Sequence, residues 1–133
     1  MNRCAWLAAT ATVTAAVTLV TWAAPAAAQM RRNFPATALR GDFVVVAPPE
    51  ILLNGGPARL GPGARIRGAD NLLLMSGTLI NQRLLVHYTI DTLGFVRDVW
   101  VLTPTEAANG WPATREQAAN WFFDPDSQTW RQP

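Results

Sequence analysis

Arg83-Leu-Leu-Val-His-Tyr-Thr-Ile-Asp-Thr-Leu-Gly-Phe-Val-Arg-Asp-Val-Trp-Val-Leu102 decides the fold class. Two runs rich in β-branched and aromatic residues, Arg83 to Ile90 and Phe95 to Leu102, flank Asp91-Thr92-Leu93-Gly94. Aspartate opens a type I turn by accepting hydrogen bonds from backbone N–H groups just ahead of it, and glycine supplies the positive φ that closes a three-residue hairpin loop. Placing Asp91 opposite Phe95 puts Leu84, Val86, Tyr88 and Ile90 on one face with Val96, Asp98, Trp100 and Leu102. Leu85, His87 and Thr89 then share the other face with Arg97, Val99 and Val101, because side chains alternate along a strand. The first face is the expected core and the second is expected to be half covered.

Upstream, Phe43 to Val46 stops at Pro48-Pro49, and Ile51 to Leu53 stops at Asn54-Gly55-Gly56-Pro57, which predicts short strands between turns. Ala58 to Gly68, built around Gly61-Pro62-Gly63, fits either a tight hairpin or a loop with one helical turn. Leu72-Leu73-Leu74-Met75 is an apolar run of strand length whose simplest use is burial. Downstream, Thr103-Pro104-Thr105-Glu106 is a capping box with proline at the first helical position, and Asn109-Gly110 is a stop. A second helix is expected from Thr114, with Ala118, Trp121 and Phe122 on one face until Asp124-Pro125, and with Trp121 as a core anchor. Together these signals predict an α+β domain over residues 42 to 133: a small antiparallel β-sheet, open or barrel-like, with one or two short C-terminal helices.

Residues 29 to 41 carry Arg31-Arg32 and Pro35 without periodicity and are expected to be a flexible lead-in. Ahead of them, Arg3, an uncharged stretch from Ala5 to Val20 and the small residues Ala26 and Ala28 have the form of a cleavable export signal, with cleavage between Ala28 and Gln29. The expected location is therefore periplasmic or secreted, with no stable membrane span after cleavage. Cys4, the only cysteine, would leave with the signal, so neither disulfide nor thiol chemistry is expected of the 105 residues that remain.

In those residues every base is arginine, ten against nine acids, for a net charge of +1. Residues 29 to 83 carry +4 and residues 84 to 133 carry −3, an asymmetry able to steer a partner. This balance argues against nucleic acid. His87 is the only histidine and has no histidine or cysteine partner for a metal. Ser76-Gly77-Thr78 lacks the glycine two residues before serine that a nucleophile elbow needs, and Asp124-Pro-Asp126 lacks the later glycine and glutamate of a calcium loop. No catalytic residue, metal or cofactor is expected.

The segment Val86 to Leu102, followed by Ala118-Ala119 and then Trp121-x-Phe123-x-Pro125, resembles the C-terminal domain of TonB-type energy transducers. In that family a hairpin with an Ile-Asp-x-x-Gly turn leads to a helix ending in Trp-x-Phe-x-Pro, and Arg65-Ile66-Arg67-Gly68 is similar to part of the family's opening Ala- and Arg-rich helix. The chain departs from the pattern in the strand-like stretch from Ala69 to Gln82, in lacking a long proline-rich spacer, and in the eight residues that follow Pro125.

The leading expectation is a non-enzymatic module that binds an envelope protein, offering an open sheet edge to an extended peptide. A second is a binder of anionic envelope polymer or lipid headgroups through Arg59, Arg65, Arg67 and Arg83, with His87 and Arg97 as further binding residues. A third is a small hydrolase that uses His87 with an acid.

Overall fold

The computed structural model describes residues 31 to 133; the expected export signal and its cleavage point lie outside them. Five strands, β1 (Leu39–Ala47), β2 (Glu50–Leu53), β3 (Gly56–Arg67), β5 (Arg83–Ile90) and β6 (Val96–Val101), close into a barrel in the order β1-β2-β3-β6-β5 and back to β1. The β3–β6 pairing is parallel and the other four are antiparallel. A two-residue strand, β4 (Leu73–Leu74), hangs on the end of β3. Helices α1 (Pro104–Ala108) and α2 (Arg115–Asn120) and a separate hairpin, β7 (Phe122–Asp124) with β8 (Thr129–Arg131), complete the chain. The domain is thus mostly β, more so than the expected α+β mixture, and its sheet is a closed barrel. No helix among the described residues is long and apolar enough to cross a membrane.

The hairpin turn forms as its residues dictate. Asp91 Oδ1 accepts from the backbone N–H groups of Leu93 and Phe95, both at 2.9 Å, and Gly94 takes φ +86°. Its consequence for the faces differs from expectation. Ile90 pairs with Val96, but Thr89 pairs with Asp98, which leaves Arg97 as an extra, bulged residue. A one-residue slip exchanges the faces of everything beyond it. Val99 and Val101 therefore join Val86 and Tyr88 against the barrel core, and Trp100 moves outward to pair with His87.

Inside the barrel, alternate residues of each strand meet: Leu39, Phe43 and Val45 from β1, Ile51, Leu60, Ile66, Val86, Tyr88, Val96 and Val99. Gly41 is needed in this row, since a Cβ there would lie 2.7 Å from Asn54 Oδ1 and 3.0 Å from Tyr88 Cε1. Ala58 to Gly68 is neither hairpin nor helical turn. Up to Arg67 it lies in one long strand that bulges between Leu60 and Arg65 opposite Arg97, which is how Gly61-Pro62-Gly63 is accommodated without ending the strand. Leu72, Leu73 and Met75 are 65 %, 66 % and 78 % exposed, so the run expected to be buried lies on the surface and only Leu74 packs inward.

Two further boundaries move. The chain enters the fold before Asp42: β1 begins at Leu39, and Arg32, Phe34 and Ala38 are all buried. Helix α2 starts at its Thr114 cap as expected but stops at Asn120, with Trp121 as its C-cap. Phe122 and Phe123 pass into β7, and Phe122 is exposed. The aromatic anchor of this region is Trp111, which is 6 % exposed.

Candidate functional site

The bulge at Arg97 builds a row across the outer barrel wall. Arg40 of β1 pairs with His87 of β5, His87 with Trp100 of β6, and Trp100 with Arg67 of β3. Over this row lies a second apolar cluster of Phe34, Ala38 and Trp111, with Trp100, Leu102, Phe123 and Trp130 packed on it. The His87 ring stacks on Trp111 with centroids 4.3 Å apart and meets the edge of Phe34 at 4.5 Å. Trp111 is fixed by its indole N–H, which donates to Ala38 O at 2.8 Å, while Arg40 N donates to Pro112 O at 2.9 Å.

Two arginines from the segment expected to be a lead-in hold α1 against the wall. Arg32 grips Glu106 through two nitrogens, at 2.7 and 3.1 Å, and also donates to Gly68 O and Val101 O at 2.8 and 2.7 Å. Such a two-point grip orients both groups, and the extra carbonyls satisfy a guanidinium that has left water. Glu106 meanwhile closes the capping box with Thr103. Arg40 donates to the carbonyls of Glu106, Ala107 and Asn109 at the far end of α1, where a cation complements the unpaired C=O groups. Among the described residues it has no carboxylate partner within ion-pair distance, and burial pushes its guanidinium below the ordinary arginine range.

Arg40 Nη2 lies 3.3 Å from His87 Nε2. A guanidinium only donates, so Nε2 accepts and the imidazole proton sits on Nδ1. The ring is neutral: burial, then the charges of Arg40 and Arg32, push its pKa down to about 3. His87 Nδ1 has no hydrogen-bond partner, and neither do Arg40 Nε and Trp130 Nε1; these are the buried unpartnered side-chain nitrogens and oxygens among the described residues.

Beside this layer opens a cavity of about 850 Å³. His87, Phe34 and Trp111 line it together with Arg32 and Glu106, and the turn between β7 and β8 lies on its rim. Phe34 N donates to Gln128 Oε1 at 2.7 Å and Arg31 Nη2 to Asp126 O at 2.8 Å, so the first described residues and the β7–β8 turn close one side together. No group of three histidine, cysteine or acidic side chains able to hold a metal occurs among the described residues.

Of the six residues singled out from sequence, only His87 lines this cavity. Arg65 and Arg97 border a smaller polar cleft of about 350 Å³ at the β3 bulge, beside Asp91 and Asp98. Arg59 faces Glu50 at 3.5 Å and Arg83 faces Asp42 at 2.7 Å, each exposed and each matched by a carboxylate. Arg67 stands in the outer row beside Trp100. The arginines therefore do not converge on one patch. Sequence reasoning missed Arg32, Phe34, Arg40 and Trp111 and read Glu106 as a helix cap; the visible trace of the aromatic layer was the density of tryptophan, four in residues 29 to 133.

No protein-family model, curated protein or solved structure matches this chain.

Proposed function

We propose that this is an exported, non-catalytic binding module that seats a compact, largely apolar ligand against its outer barrel wall. The observation that carries this reading is the cavity of about 850 Å³ walled by Phe34 and Trp111 and lined by His87. Ligand sites are typically concave, mostly apolar, within roughly 300 to 1,000 Å³, and supplied with a few convergent polar groups. Small five-stranded barrels of the OB type also bind on a strand face and its adjoining loops, an analogy of architecture and no more. Binding is favoured over hydrolysis because His87 is a poor base: its pKa lies far below neutral and its accepting nitrogen is engaged by Arg40.

The test is saturable binding of an uncharged fluorescent dye, Nile red, to the purified domain, compared with Ala69→Trp, which fills the cavity from its exposed rim. One-to-one binding lost in the variant is expected. Binding that never saturates, or that the variant retains, refutes the reading.

A second reading, contact with an envelope protein, draws on a different surface. Among the described residues, closure of the barrel leaves short edges on β4 and on the three-residue strands β7 and β8, so strand addition has little to extend. The exposed Leu72, Leu73 and Met75 offer apolar contacts instead.

A further inference from the structure

Three buried side-chain nitrogens among the described residues have nothing to bond, and one of them, Nδ1 of the fully buried His87, belongs to a residue that lines the cavity. Arg40 Nε and Trp130 Nε1 are donors by constitution, and His87 Nδ1 is one because Arg40 occupies Nε2. No buried side-chain acceptor among the described residues is left unpartnered. Charge leans the same way. The Glu106 carboxylate is gripped by Arg32, whereas Arg40, directly behind His87, carries a positive charge that no carboxylate among the described residues pairs within ion-pair distance. An imidazole whose Nε2 accepts from a cation becomes a stronger donor at Nδ1, since successive hydrogen bonds polarise one another.

We infer that the ligand is a monocarboxylate on an apolar, ring-bearing body, its oxygen accepting the His87 Nδ1 proton and its body packing against Phe34 and Trp111. This rests on the cavity being the binding site, and adds the chemistry that the site selects. An anion supplies both the missing acceptor and the missing counter-charge, with Arg40 acting through His87 as a positioning residue. A cation would meet Arg40 unshielded, and a neutral hydroxyl would satisfy the proton but not the charge. At the rim Arg31 is matched in charge by Asp70, so the selectivity comes from His87 and Arg40 rather than from the approach.

The experiment uses three probes with one body: 5-phenylpentanoate, 5-phenylpentan-1-ol and 5-phenylpentylamine, each titrated into the domain and followed by calorimetry. The acid should bind at least about tenfold more tightly than the alcohol, the margin of a hydrogen bond to a charged group, and the amine most weakly. In His87→Phe, which keeps a ring against Trp111, the preference for acid over alcohol should fall to about twofold or less while the alcohol still binds. Equal affinity for acid and alcohol in the native protein overturns the inference, as does a preference that survives in the variant. Should the variant fail to fold, the native protein decides through the ¹⁵N and ¹H resonances of His87 Nδ1–H. The acid must shift them strongly and the amine must not, and an unmoved signal at saturation is refutation. If none of the three probes binds, the cavity reading itself has failed, which is a different result from binding without selectivity.

Discussion

Acidification should destabilise this domain through one side chain. His87 is held neutral because its charged form would be stripped of water and would face Arg40 from β1 and Arg32 from the opening segment, the nearby Glu106 carboxylate being held by Arg32. Its folded pKa is about 3 against an ordinary 6.5. Between those values the unfolded chain takes up a proton that the folded chain refuses. Stability is therefore complete above pH 6.5 and falls as pH drops towards 3, by about 1.4 kcal/mol per pH unit. At pH 5 the loss from this residue is about 2 kcal/mol, a sizeable part of the roughly 5 to 15 kcal/mol that holds a domain folded. Carboxylates protonating over the same range also remove stability, so the measurement is a difference. Urea unfolding, read by tryptophan fluorescence at several values between pH 7.5 and 4.5, is compared for the native protein and His87→Phe. Whatever constant offset the substitution introduces, the gap should change in the variant's favour by about 2 kcal/mol between pH 7.5 and 5. Parallel curves would show that His87 titrates normally, and the argument for a neutral Nδ1–H donor would go with them.

Two further outcomes follow from the packing. Arg32→Met strands the Glu106 carboxylate and two carbonyls, so it should cost about 3 to 5 kcal/mol in urea unfolding, and a loss under about 1 kcal/mol would mean that α1 does not depend on this clamp. Leu72→Ser combined with Met75→Ser should change stability by less than about 0.5 kcal/mol, because both side chains already face water; a loss of about 2 kcal/mol or more would show them to be buried in solution. If this surface contacts an envelope protein, the same double variant should lower its capture.

Local chemistry was legible where a few adjacent residues determine it. The Asp91–Gly94 turn, the Thr103–Glu106 capping box and the Thr114 cap all formed as their side chains required. What could not be read was whatever depends on pairing between distant segments. Arg97 is an ordinary strand residue by composition, and its bulge is set by the barrel, where β3 sends four residues, Gly61 to Ala64, past the single residue Arg97. Closing a small barrel demands bending that bulges supply. That one inserted residue decides whether Trp100 faces the core or the outer wall, and so whether His87 has an aromatic layer above it. The opening segment, too, depends on contacts between distant parts of the chain. Arg32 and Phe34 lie in no periodic pattern because they pack as single anchors, one on α1 and one on His87, rather than as the face of a strand. Alternation along a strand reveals which residues face a common core, but an isolated anchor repeats nothing. A cavity assembled from the opening segment, β5, α1 and the last hairpin therefore leaves almost no sequence trace, even though each contributing turn and cap is locally encoded.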